Sequence, residues 1–528
     1  MDKLPLMLLY LCLLIYVRPT EQGKIIVLPM LNGFSSRLMN VVKLANMLDN
    51  DGHNVTIVFD TNMLRNPMFK NVKINTGVQS FAFERTQEQQ FNIQSDAFLK
   101  SCGAAGWRPT ALVAASVGVL DEVEAFMKSD ELWDLVDKGD FDLILADDIL
   151  YLLIGQFLHR VYHIPVALYI NWGPFSMPAV LPPHNLAYMP LHFSDYSDSM
   201  TFFERLQNVY EAYTYEHLVA DFIDKAEQIA LDNKRIPTKL PILDYIRNIS
   251  LIFVNGNNAF FHPRPYFPNV IDIQGFAMEE SNFQPLSKEL LDIITESKDN
   301  GLIIVSFGTL FRSLGPEKNE ILAAAFAEMN QTVLWSFVGE PPSNLGQNTK
   351  LLKWIPQQEL LAHPKTKLFV THCGGSASKE TIHQGVPIVG LPIFFDHHIH
   401  CRLLCERAKI GKRLSFQDLD TKSVVTAMKT VLHNQATYKE NAKKMSQLVR
   451  DVPIPPRDKF LYWVKYVIRH KGAKHLTSQA MYDLNFFQYF LLDIAAFVIS
   501  IITIWLVITL LICRYLLKLL RKEKIKVE

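Results

Sequence analysis

A strong charge of either sign is missing from this 528-residue chain: lysine and arginine together number 53, and so do aspartate and glutamate. No global field therefore recruits nucleic acid, and any basic function must be local. Cysteine is scarce too, at six residues. Cys12 and Cys513 lie in apolar ends, which leaves Cys102, Cys373, Cys401 and Cys405, a number that makes no disulfide scaffold. Their spacing matches no zinc pattern, so Cys401 and Cys405 read as a helix face and no metal site is expected. Short-period repeats and low-complexity tracts are absent as well. What remains is a globular chain long enough for at least two cores.

Two apolar ends stand out, and they differ in kind. Residues 1–23 carry one lysine, an apolar run from Leu4 to Val17 and then polar residues, the order of a secretory signal. That run is shorter than the ~20 residues a membrane span needs. Ile494 to Cys513 is charge-free and of spanning length, so a transmembrane helix is predicted there. Arg514, Lys518, Arg521, Lys522, Lys524 and Lys526 follow it, and the positive-inside rule puts them in the cytosol. The bulk of the chain is then luminal, with its sequons at Asn54, Asn248 and Asn330 open to glycosylation.

Between the ends the pattern alternates. Residues 24–30 read as a buried parallel strand, and Val41, Leu44, Ala45 and Leu48 share one face of a helix that Gly52 ends. A strand resumes at Asn54, so the chain opens with a βαβ unit, continued by strands at 141–149 and 164–170. After a polar stretch at 279–300, further strands are predicted at 301–309, 332–338, 366–372 and 386–393. This order predicts an α/β protein with two parallel-sheet domains, residues 24–280 and 301–455, joined by a linker at 281–300. Residues 456–493 are expected to form helices returning to the membrane, and 514–528 a basic tail. A ligand belongs in the cleft between the carboxyl ends of the two sets of strands.

Chemistry concentrates between Trp354 and His400. The strand ending at His372 is followed by Cys373, Gly374, Gly375 and Ser376, and then by a helical pattern. Small residues between strand and helix let backbone N–H groups approach an anion, and the helix start adds partial positive charge. His372 can donate to a phosphate oxygen. Glu380, one turn into the helix, suits vicinal ribose hydroxyls, while Trp354 offers a flat face for a base and Gln357 an amide for its edge. Ser306 to Thr309 repeat the strand-then-small-residue logic for a diphosphate, and Asp396 is an acceptor for sugar hydroxyls.

This block resembles the donor-binding signature of the UDP-glycosyltransferases, and the chain from end to end resembles the animal membrane-bound UDP-glucuronosyltransferase branch. Residues 469–476, 488–494 and the tail from Lys524 to Glu528, similar to a dilysine-type retrieval signal, extend the likeness. The resemblance implies a GT-B fold of two Rossmann-like domains, an acceptor bound by the first domain and a UDP-sugar by the second. It implies no cofactor beyond the UDP-sugar donor substrate, a small lipophilic acceptor, one membrane span in the endoplasmic reticulum with luminal catalytic domains, and pairing with copies of itself or related transferases. Carried over by motif, Trp354 and Gln357 would hold uracil; His372, Gly374, Gly375 and Ser376 the diphosphate; Glu380 the ribose; Ser306 and Thr309 further phosphate contacts; and Asp396 the sugar. His397 and His400 stand where the family usually has glutamine and asparagine, and histidine cannot reproduce an amide's donor and acceptor pair. Glucuronate, glucose and other sugars therefore all stay open.

An inverting transfer needs a base for the acceptor's proton. The resemblance assigns it to a histidine in a turn after the first strand, steadied by an aspartate. Asp147 fits the aspartate's place, with Asp148 beside it, but the histidine is missing. An ungapped count puts Arg37 there, and matching the turn motif puts Ser36 there; neither is a competent base. His53 lies a helix length away and reads as a helix-end residue favoured by the dipole. Three readings stay open: an active transferase using a base such as Asp147 or an already ionised acceptor, a UDP-sugar-binding relative that lost transfer and regulates active enzymes, or a receptor or transporter subunit of different fold. An Arg37–Asp147 ion pair would be the structural mark of the second. The aromatic stretch at 169–190 fits an apolar acceptor pocket and ordinary loop packing equally well.

Overall fold

The computed structural model describes residues 22–29, 35–65, 69, 72–83, 120–173, 184–191, 194–278 and 283–527. The signal-like segment before residue 22, the turn at 30–34, Cys102 and residues 174–183 of the aromatic stretch lie outside them. The first sheet holds β1 Lys24–Leu28, β2 Asn54–Asp60, β3 Gln79–Phe83, β4 Leu143–Asp147, β5 Val166–Ile170, β6 Ile249–Val254 and β7 Val270–Asp272, in the order β3-β2-β1-β4-β5-β6-β7. The second holds β8 Leu302–Ser306, β9 Thr332–Ser336, β10 Thr349–Leu352, β11 Thr366–Thr371, β12 Ile388–Gly390 and β13 Gly411–Arg413, in the order β10-β9-β8-β11-β12-β13. Every pairing is parallel.

Parallel sheets covered on both faces need strands that are apolar throughout. β4, β5, β6 and β8 are buried along their whole length, which is why runs such as LILA and LIIV signal them so plainly. Five strands were missed by pattern alone: β3, β6, β7, β10 and β13. Four of these are sheet edges of three to five residues with partly exposed side chains, so they lack an apolar run. β6, ISLIFV, is the exception: it is central, and its β-branched residues carry a clear strand signal.

The helices used below are α1 Ser35–Asn50, α2 Asp148–Tyr162, α3 Gln357–Ala362, α4 Gly375–Gln384, α5 His397–Arg402, α6 Pro456–His470 and α7 Leu492–Val527. The apolar face of α1 seats Val41, Leu44, Ala45 and Leu48 against β1, β2 and β4 in the first core. α6 corrects an expectation. Its Phe460, Leu461, Val464 and Val467 enter that same first core, with the Phe460 ring 4.8 Å from Phe253, so the chain crosses back onto the first sheet after building the second. Each such side chain contributes about 1.5–3 kcal/mol on burial, and the described residues of the two α/β halves, up to Leu476, belong to one compact unit.

His53 is a second correction. It is buried, its Nδ1 accepts from the Gly23 N–H at 3.1 Å, and its Nε2 lies 3.4 Å from Asp51. Desolvation lowers its pKa, the reverse of a helix-end cation. Residues 477–528 form a separate unit dominated by α7. Its Leu492–Leu520 stretch, with mean hydropathy 2.8, contains the predicted span and is long and apolar enough to cross a bilayer.

Candidate active site

Both strand orders place a topological switch at their centre, β1 beside β4 in one sheet and β8 beside β11 in the other. Neighbouring chains leave in opposite directions there, which opens a crevice at the carboxyl ends. Ser306, His372 and Asp147 fall at those ends, and Arg37, Glu380, His397 and His400 lie on helices that follow strands of the two sheets. In the second sheet Ser306 ends β8 and pairs in register with Thr371, so His372 follows at the same edge. In the first, Asp147 ends β4 and Arg37 lies in the first turn of α1, just after β1. The side chains of Ser36 and Asp148 lie outside the described residues.

The second-sheet edge is tight. A Cβ built on Gly374 would fall 2.3 Å from His372 Nε2, so only glycine lets the backbone pass the imidazole. Cys373 and Phe395, neither a glycine, sit at φ +62° and +48° beside His372 and Asp396. Such backbone costs roughly 1–3 kcal/mol each and gathers where a ligand loop is shaped. Burial drives the His372 pKa down to about 4 against the pull of Asp396, so the ring is neutral. His397 packs edge-on to it at 4.6 Å, accepts the Phe394 N–H on Nδ1 at 3.1 Å, and is held well below its ordinary pKa by burial, with His372 adding to the fall.

Glu380 is 8% exposed and receives one amide on each oxygen: Gln357 Nε2 on Oε2 at 2.5 Å and Gln358 Nε2 on Oε1 at 2.9 Å. Burial raises its pKa, opposed by those two hydrogen bonds and by Lys43. Trp354, just before α3, stays exposed, and Thr309 is half-buried in the loop after β8. Asp396 Oδ2 lies 3.1 Å from His400 Nδ1, while His400 Nε2 donates to the Trp172 carbonyl at 2.9 Å.

The first-sheet edge is an ion pair. Arg37 Nε reaches both Asp147 oxygens, at 2.9 and 3.1 Å, with the residues 5% and 1% exposed. The guanidinium also lies over the Trp172 ring at 4.6 Å from its centre. The ion pair that the sequence gives as the mark of a transfer-deficient relative is present.

The two edges face and touch each other. Asn40 of α1 donates to Asn171 Oδ1 at 2.9 Å and to Ser376 Oγ at 3.4 Å. Lys379 of α4 donates its Nζ to the Asn171 carbonyl. A Cβ on Gly375 would meet Asp396 Oδ2 at 3.2 Å and Trp172 Cα at 3.4 Å, so the second glycine of the pair serves close approach between the halves. Sequence reasoning missed Asn40, Asn171, Gln358 and Lys379. A lysine one residue before Glu380, four residues after Gly375 and hence on the same helical face, was the available signal.

Two parallel α/β sheets facing across a cleft, closed by a returning C-terminal helix, define a GT-B glycosyltransferase fold. Solved structures agree: the calicheamicin glycosyltransferase CalG4 superposes with TM-score 0.56 at 17% identity, covering 84% of this chain and 98% of its own. A UDP-glucosyltransferase from Polygonum tinctorium does so with TM-score 0.58 at 15% identity, covering 85% and 99%. The family profile described as UDP-glucoronosyl and UDP-glucosyl transferase matches residues 23–527. Rat UDP-glucuronosyltransferase 2B1 is 31% identical over 97% of each chain, and human UDP-glucuronosyltransferase 2B7 is 30% identical over 90% of each. The chain belongs to this family of UDP-glycosyltransferases, and it is an enzyme of that class.

Proposed function

We propose that this transferase moves a sugar from a UDP-sugar to the hydroxyl of a small lipophilic acceptor, with the donor held by the second α/β half. The observation that carries the reading is Glu380: a buried carboxylate at the foot of the strand–glycine–helix turn, whose hydrogen bonds among the described residues come from two neutral amides that ribose hydroxyls can replace. In this reading the exposed Trp354 ring stacks on uracil beside Gln357. Neutral His372, the Gly374–Gly375 backbone, Ser376, Ser306 and Thr309 hold the diphosphate at the start of α4. Asp396, flanked by His397 and His400, takes sugar hydroxyls. α7 and its basic tail support a single-pass anchor in the endoplasmic reticulum with luminal catalytic halves, and the exposed Asn54 and Asn330 as glycosylation acceptors. The Arg37–Asp147 pair is what a transfer-deficient relative was expected to show, yet membership of a family of transferases favours the active enzyme.

The test is UDP release by the full-length protein from a panel of UDP-sugars with phenolic and lipophilic alcohol acceptors, alongside UDP-dependent thermal stabilisation. Saturating UDP, about 100 times its Kd, should add roughly 2.7 kcal/mol of stability. Glu380→Ala and His372→Ala should abolish most of that gain. An unchanged gain in both variants sinks the donor-site assignment, and absence of UDP release from every donor sinks the transfer.

A further inference from the structure

The reaction above needs a proton acceptor, and the groups first in line are occupied. Arg37 stays protonated and already spends its Nε on both oxygens of Asp147. His397 uses Nδ1 to accept a backbone N–H, and both ring nitrogens of His400 face acceptors, Asp396 and the Trp172 carbonyl. Lys379 is different. It stands on α4 one turn after Gly375, with 1% of the residue exposed, and reaches out of the donor half to the first half. Its Nζ donates to the Asn171 carbonyl and, among the described residues, has no carboxylate in ion-pair contact. Asn171 is itself fixed, since Asn40, Tyr169 and Asn255 all donate to its Oδ1 at 2.9–3.1 Å.

We propose that Lys379 is the general base of the transfer, accepting the acceptor hydroxyl's proton on its uncharged Nζ. The proposal rests on the transferase reading above. A buried ammonium whose only partner is a neutral carbonyl is costly, so the site favours the free amine. Burial lowers the Nζ pKa from 10.5 to about 7. Of the charged groups around it, Asp396 from the loop after β12 and Glu380 from its own helix pull that value up, and Arg37 from α1 pushes it further down. The carbonyl that Nζ reaches precedes Trp172 in the chain: Arg37, which stands where the missing histidine would be, covers that ring at 4.6 Å, and a Cβ built on Gly375 would lie 3.4 Å from Trp172 Cα and 3.2 Å from Oδ2 of Asp396, the proposed sugar contact. In the step itself the acceptor O–H bond breaks and its proton moves to the Nζ lone pair, giving an ammonium. The acceptor oxygen bonds to the anomeric carbon as the carbon's bond to the diphosphate oxygen breaks, and that electron pair leaves with UDP. The ammonium then returns its proton to water.

The experiment compares full-length wild type with Lys379→Met, Lys379→Arg and Lys379→Ala, using phenols of graded acidity up to a nitrophenol already ionised at the assay pH. For wild type, kcat/KM should rise with pH through about 7 and level off as the amine loses its proton. Lys379→Met should lower kcat by on the order of 10²–10⁴-fold for weakly acidic acceptors and far less for the ionised nitrophenol, and lose the limb near pH 7. Lys379→Arg keeps the reach but stays protonated and should remain impaired. A small primary amine such as ethylamine should restore part of the Lys379→Ala activity. Stabilisation by UDP, retained in Lys379→Met, shows that the variant is folded and binds donor. The base assignment is overturned if Lys379→Met keeps wild-type kcat and pH profile, if the loss is equal for all acceptors, or if Lys379→Arg restores turnover. It is equally overturned if the loss is confined to KM for UDP-glucuronate, which would make the lysine a carboxylate-binding cation. No turnover by wild type with any donor overturns both the base and the transferase reading, whereas wild-type turnover indifferent to Lys379 overturns the base alone.

Discussion

The two sheet edges that meet across the cleft carry the same kind of group in opposite settings. Asp147, at the first edge, is locked by a buried guanidinium that is itself pressed against Trp172. Glu380, at the second, is held by two uncharged amides. Exchanging a neutral amide for a sugar hydroxyl swaps one hydrogen bond for another, at a net difference of about 1 kcal/mol or less. Withdrawing Arg37 from Asp147 leaves an uncompensated buried charge. The second edge is therefore built to change partners and the first to keep them. The difference lies in the partner: a charged guanidinium at Asp147 and neutral amides at Glu380.

The sharpest way to break that contrast is to split the pair. Arg37→Met and Asp147→Asn should each cost on the order of 3–5 kcal/mol in unfolding experiments, and the double variant should recover most of the loss. Single losses near zero would mean that the pair is not buried in solution. Arg37→His belongs to the same series, since it puts an imidazole beside Asp147.

Acid sharpens the second edge. His372 binds its proton more weakly in the fold, near pH 4, than in the unfolded chain, near 6.5, so the unfolded state holds more protons between those values. Its contribution is fully present above pH 6.5 and falls away as pH drops towards 4, by roughly 3 kcal/mol. His372→Gln should flatten that slope in a pH series of melting temperatures, and an unchanged slope would place the effect elsewhere. The smallest effect concerns Gln358. Gln358→Ala removes one of the amides on Glu380 and should cost about 1 kcal/mol, with part of it returned when UDP is added. A cost unaffected by UDP would show that ribose does not replace that amide.

Much of this was readable from the chain. The strand runs at 24–30, 141–149, 164–170, 301–309 and 366–372 signal themselves because central parallel strands are apolar on both faces. The partly exposed edge strands β3, β7, β10 and β13 have no such run and went unseen. The loop after β11 was legible because its residues are adjacent in sequence: glycines between strand and helix, with a carboxylate one turn on. Gln358 escaped notice because nothing local distinguishes it from Gln357, although the two grip opposite oxygens of Glu380.

The sequence by itself determined two parallel α/β halves, an apolar helix of membrane-spanning length and the strand–glycine–helix turn, because each depends on periodicity or chemistry within a few neighbouring residues. Tertiary structure alone decided the rest. It placed Arg37 on Asp147 across 110 positions, carried Lys379 to the Asn171 carbonyl across 208, and returned α6 to a core begun at β1. The physical reason is the same in each case. A buried charge or amine takes its character from what surrounds it and from the water it has lost, and both are fixed only when distant segments close around it.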